Sequence, residues 1–223
     1  MKFVSIDLSR DQDEPLVLGW KNLFTTLWRE IFTLIRANLC FLLFCLPVIT
    51  IPPAMCALHG VCMDAIRGKK CRVLRCFLDT LRRQFLQSWA AALAFGAVEF
   101  AAVFGAWFYF TRAQGNWAVM LLGLLMSAIA VVGYLMVPYC LTMLARVDLP
   151  MVKAVKNAFL LAFLNLRFSI CSGVIVFALL TVWALLWLYV FPLLLLCAFS
   201  LTVYIAVYFS LFGLQRFVLT EEL

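Results

Sequence analysis

The sequence predicts an all-α protein, a polytopic transmembrane helical bundle. It has four clear spans in two hairpins, a proline-broken first segment and amphipathic helices lying at the interface. Three observations carry that expectation. Of the 223 residues, 66% are hydrophobic and only 13% charged, and mean hydropathy is +1.06, whereas a soluble domain is about 45–50% apolar. The apolar residues gather in runs of about 20, long enough for a helix to cross a ~30 Å hydrocarbon core. The 18 basic residues, which set the net charge of +7, collect in short segments between those runs, as Lys and Arg do in cytoplasmic loops. Residues 1–223 are therefore expected to form a single membrane domain.

The same placement argues against a nucleic-acid partner, because no basic motif stands outside the membrane pattern. The 15% aromatic content suits lipid-facing Phe and interfacial Trp and Tyr. The opening MKFVSIDLSRDQDEP carries four acids and no apolar core, so it is not expected to act as a signal peptide.

Residues 15–37 read as an amphipathic interfacial helix. Leu16, Trp20, Leu23, Leu27, Ile31 and Leu34 recur at helical spacing, with Lys21, Arg29 and Glu30 between them, too many charges for a span. Residues 38–66 are apolar but interrupted by Pro47, Pro52 and Pro53. Proline removes a ladder donor and clashes with the preceding turn. Two short helical pieces, about 38–46 and 54–66, are expected around an extended stretch, as either a proline-kinked crossing or a re-entrant hairpin. Residues 67–84 are a basic loop and helix in which Gly68 closes the preceding helix and Asp79 is placed to pair with Arg82 or Arg83.

Residues 85–144 read as a hairpin of two spans joined by Thr111–Asn116, with Pro138 as a kink. Residues 145–167 return to a basic amphipathic helix, and 168–214 form a second hairpin turning near Pro192. The segments 67–84 and 145–167 hold eleven Lys and Arg, against Arg112 alone in the turn opposite. Basic loops stay inside, so both segments and the C-terminus are expected to be cytoplasmic in a multi-pass cell-membrane protein. A weak internal repeat also shows. Three times a basic amphipathic helix leads through a polar residue (Asn38, Gln84 or Gln87, Asn165) into an apolar hairpin.

Six of the nine cysteines lie in apolar runs, where thiols behave as small hydrophobes. Cys62, Cys71 and Cys76 fall in or near the basic segment, where they are expected to be reduced. Glu99 is the sharpest candidate for chemistry. It sits mid-span with no charged residue within a dozen positions, at an insertion cost of about 2.5–3.5 kcal/mol. It is read either as a proton- or substrate-binding carboxylate, or as a neutral acid bonding between helices to Ser127, Tyr134 or Ser172. The small residues around it, such as Ala92, Gly96, Ala102 and Gly105, place its helix centrally in the bundle. His59 is a thin site, and Asp64 reads as an interfacial ion pair with Arg67. No catalytic or metal-binding motif is present, so neither enzyme activity nor a cofactor is expected.

The run Asn38 to Leu58, with Leu46-Pro47-x-x-Thr50-x-Pro52-Pro53-Ala54 followed by Ala57-Leu58, resembles the hallmark of the YesL family of bacterial membrane proteins. Phe77, Phe85 and Ser88 resemble that family's helix entering its second span. Pro52 stands where the family prefers Gly, and His59 where an aromatic is usual. The resemblance implies a part for Asn38, Pro47, Thr50 and Pro53 in whatever the motif does; His59, which departs from it, is a candidate only as a metal or proton-relay residue. It also implies an accessory role beside carbohydrate uptake systems of the ABC type. Lipid bilayer and ABC transporter subunits are the expected partners, and no pattern specifies an oligomeric state. The alternative is a small stand-alone transporter or channel using the Pro47–Pro53 break and Glu99. An ordinary ABC permease is not expected, since 146–167 lacks the Glu-Ala-Ala…Gly coupling signature.

Overall fold

A computed structural model describes residues 20–69, 72–146, 151–185 and 197–218. Among these residues there are nine α-helices and no strand. The helices are α1 (Trp20–Arg29), α2 (Ile31–Cys45), α3 (Ile51–Arg67), α4 (Val73–Arg83), α5 (Phe85–Arg112), α6 (Trp117–Arg146), α7 (Met151–Leu164), α8 (Leu166–Leu185) and α9 (Phe199–Val218). A 3-10 turn at Val48–Thr50 links α2 to α3. Four stretches are long and apolar enough to cross a membrane: Val48–Arg67, α5, α6 and α8. The described apolar part of α9, Phe199–Leu211, is shorter, and the turn expected near Pro192 lies outside the described residues.

Each amphipathic helix meets its apolar successor at one non-helical residue: Glu30, Gln84 or Asn165. Glu30 (φ −98°, ψ 11°) and Gln84 (φ −101°, ψ 14°) share one backbone shape, in the sparsely allowed bridge region. All three joints keep the ladder running. The joint N–H donates to the carbonyl four residues back (Thr26, Thr80, Leu161), and its carbonyl accepts from the N–H four residues on (Leu34, Ser88, Ser169). The repeat thus has a geometric form, with one change from the sequence reading: the first joint is Glu30, and Asn38 lies inside α2.

The repeat extends to packing. Three pairs of helices lie side by side: α2 with α3, α5 with α6, and α8 with α9. The second members, α3, α6 and α9, pack on one another, and each first member also touches the second member of another pair (α5 on α3, α8 on α6, α2 on α9). The contacts therefore run in a cycle of three. Asn38 and Cys62, each twelve positions from Thr50, both reach Ser200 of α9. A single kinked crossing would hold those two residues about 36 Å apart at 1.5 Å per residue. The α2–α3 unit is accordingly an antiparallel hairpin.

The centre of the bundle corrects the sequence reading. It is α3, 72% buried across its span, while α5 is 11% buried and packs mainly on α6, with smaller contacts to α3 and α7. The α3 helix also begins earlier than expected, at Ile51. Pro52 and Pro53 occupy its first turn, where a missing N–H costs no helical bond, so they start the helix rather than break it. Gly68 ends α3 in the left-handed conformation (φ 72°) with its N–H on Ala65 O. Cys76, expected as a reduced thiol, is disulfide-bonded.

Candidate functional site

Three polar connections organise the centre. At the basic end of α3, the Arg146 guanidinium pairs with Asp64, whose charge Arg67 and Lys69 also stabilise, and donates to Gly60 O at 2.9 Å. Arg83 donates to Ala145 O at 2.9 Å, rather than meeting Asp79. These bonds tie α6 to α3 and α4 to α6, at a level where α3 and α6 pack closely, since a Cβ on Gly60 would lie 3.3 Å from Ala145 Cβ. Sequence reading missed Arg146 altogether. Its one signal is a guanidinium closing an apolar helix, and its partner lies 82 positions away.

The second connection is Asn38, fully buried. Its Oδ1 accepts from the Ser200 N–H at 3.1 Å, satisfying one of the orphan donors in the first turn of α9. His59 is buried on α3, and its Nδ1–H donates to Met55 O at 2.9 Å. Asn38 thus ties α2 to α9, whereas the His59 bond stays within α3.

The third is the proline turn. The Thr50 hydroxyl faces the carbonyls of Phe44 and Pro47, the latter at 2.6 Å, and the Trp89 indole N–H donates to Ile49 O at 2.8 Å. Pro53 is buried beneath. Leu46, Val48 and Ile49 project outward, 61–78% exposed. An apolar turn with its carbonyls covered fits a lipid surrounding.

Behind this turn a cavity of about 230 Å³ opens between α3, α5 and α6, lined by Pro52, Met55, Ser88, Ala91, Phe95 and Leu141 among others. Glu99 continues the same α5 stripe one turn beyond Phe95. It lies against α6 so closely that a Cβ on Gly133 would come within 2.6 Å of its Oε2. None of the three expected partners turns to it: Ser127 donates to Gly123 O, Tyr134 to Gly173 O, and Ser172 makes no bond to it. The candidate residues are therefore distributed. Pro47, Thr50 and Pro53 shape the turn, Asn38 ties α2 to α9, His59 is buried with its bond inside α3, and Glu99 stands outside in the α5–α6 groove. Among the described residues no group of three His, Cys, Asp or Glu could hold a metal ion.

Neither the curated proteins nor the solved structures contain a match to this chain. Residues 34–106, from the first turn of α2 through most of α5 and including the hairpin, the turn and the Gln84 joint, match the model of the family described as "Protein of unknown function, DUF624".

Proposed function

We propose that this protein is an accessory membrane subunit that docks a partner on its basic amphipathic helices, with the partner an ABC-type carbohydrate uptake system. The observation that carries the reading is the mounting of α4 and α7. Each packs against the helix before it, α3 or α6, and α4 is tied down through Arg83. Their outward faces combine bases with bare apolar side chains: Arg72, Leu74, Arg75 and Arg82 on α4, and Val152, Lys153, Lys156 and Phe159 on α7. A rigid surface of mixed charge and hydrophobicity is suited to binding protein. The carbohydrate assignment rests on the resemblance of the Leu46–Leu58 motif, and the cytoplasmic placement of these helices rests on their charge.

The test is co-purification from gently solubilised membranes. The tagged protein is expected to bring down an ATPase subunit or a sugar-binding protein, and Arg75→Glu with Lys153→Glu is expected to release it. Recovery of neither subunit, or recovery unchanged by the charge reversals, overturns the proposal. A second reading, transport by the protein alone, is favoured by one observation: Glu99 is half-buried in the α5–α6 groove without a bonded partner. Uptake into vesicles containing only this protein, lost on Glu99→Gln, would support it; uptake unchanged by the substitution removes Glu99 from the site.

A further inference from the structure

The cavity between α3, α5 and α6 has three properties that together specify an occupant. Its walls are almost wholly apolar: Met55, Ala91, Phe95 and Leu141 with the Pro52 ring. Its volume of about 230 Å³ exceeds that of engineered apolar cavities, roughly 150 Å³, that stay dry and take up hydrocarbon. Two of its lining residues, Ile51 and Ala92, are exposed on the outer, apolar surface, so the approach is lateral, from lipid.

The third property is Ser88. Several serine and threonine hydroxyls elsewhere in these helices bond to the carbonyl four residues back, among them Thr80, Ser127, Thr142, Ser169, Thr202 and Ser210. Ser88 does not. Its side chain is 1% exposed, its Oγ has no hydrogen bond of normal geometry although the Cys56 thiol is nearby, and it lines the cavity. A buried hydroxyl left open costs free energy unless something meets it. It lies one turn after the Gln84 joint, toward the basic end, whereas Phe95 lies about 10 Å further along α5. Glu99, one turn beyond Phe95, sets a polar limit to the groove.

We propose that the cavity binds one acyl chain, its carbonyl oxygen accepting from Ser88 and its methylenes running along α5 past Ala91 to Phe95. A phospholipid and a free fatty acid share this chemistry. The test reconstitutes the full chain in vesicles with a diazirine-bearing phospholipid in one arm and a diazirine-bearing fatty acid in the other, and maps adducts by mass spectrometry. Adducts are expected at 91–95 and 137–141 in at least one arm, at five or more times the frequency seen on the lipid-facing side of α8 at Val174 and Phe177. The phospholipid arm labelling identifies the bilayer as the source, and the fatty-acid arm alone identifies a free acid. Ser88→Leu and Ala91→Leu, which fill the cavity from two positions, are each expected to reduce those adducts at least fivefold and leave α8 labelling unchanged. Equal labelling of the cavity and α8 in wild-type protein in both arms overturns the proposal, whatever the variants do. So does cavity labelling that survives both substitutions.

Discussion

At the scale of single residues, the Asp64–Arg146 pair combines close contact with burial. The Asp64 side chain is 9% exposed and that of Arg146 21%, and the guanidinium also serves Gly60 O. Removing one partner of a buried pair costs up to about 3–5 kcal/mol, less where other charges remain, as Arg67 and Lys69 do beside Asp64. Asp64→Asn and Arg146→Gln are each expected to lower the denaturant midpoint markedly. The double variant should be less destabilised than the sum of the two by more than ~1 kcal/mol. Additive losses in that cycle would show that the pair is not a unit. Glu99 allows a finer test. Gly→Ala inside a helix gains roughly 0.5–1 kcal/mol, but at Gly133 the new methyl must displace the Glu99 carboxylate, at a comparable rotamer cost. Gly133→Ala is therefore expected to be near neutral in the natural chain and stabilising in a Glu99→Ala background. An equal effect in both backgrounds would mean that the carboxylate does not lie on Gly133.

At the scale of elements, helix existence was legible and helix roles were not. Apolar runs, basic segments and the glycine after Arg67 marked most of the helices, because length, charge and capping chemistry are local properties. The centre was misread because lipid is as apolar as a protein interior. The most buried span, α3, is also the least apolar of the four candidates, whereas the outward-facing α6 and α8 are the most apolar. The small residues of α5 pointed to close approach, yet Ala92, Ala94, Gly96, Ala97 and Ala101 are exposed, and only a few, such as Gly105 against Met126 of α6, lie at a helix contact. The prolines of the motif were misjudged for a related reason. Their effect depends on whether they fall inside a helix or at its first turn, and that was set by a turn whose covering bond comes from Trp89, forty positions away. Of the candidate site, the turn residues were legible, whereas Ser88, Arg146 and Gly133 depend on pairings between distant segments. Trp89→Phe keeps the ring and removes the donor to Ile49 O. A lost hydrogen bond of about 1 kcal/mol should raise amide exchange in 48–52 about fivefold while leaving α6 and α9 unchanged. Uniform acceleration across the chain would show instead that the bond supports the whole fold.

At the scale of the whole molecule, the cyclic packing makes a statement about topology that composition alone left open. A hairpin returns the chain to the side from which it started, whether or not its turn reaches the far surface. The α-helices of the α2–α3 unit are about 22–25 Å long by their 15 and 17 residues at 1.5 Å each, reaching the ~30 Å of a core only when the Val48–Thr50 turn is counted with α3, and its tip is apolar. The α5 and α6 helices, with 28 and 30 residues, are about 42–45 Å long and long enough to cross. If each pair of helices is a hairpin, α1, α4 and α7 share one side; the positive-inside rule predicts that side to be cytoplasmic and the α5–α6 turn at Gln114 and Gly115 to emerge opposite. With single introduced cysteines and an impermeant maleimide, Gln114→Cys is expected to label in intact cells above the wild-type background. Thr25→Cys on α1 and Lys153→Cys on α7 should label only after permeabilisation. Labelling of Thr25→Cys in intact cells would mean that the α2–α3 segment crosses once, and the antiparallel hairpin, together with the threefold repeat built on it, would fall.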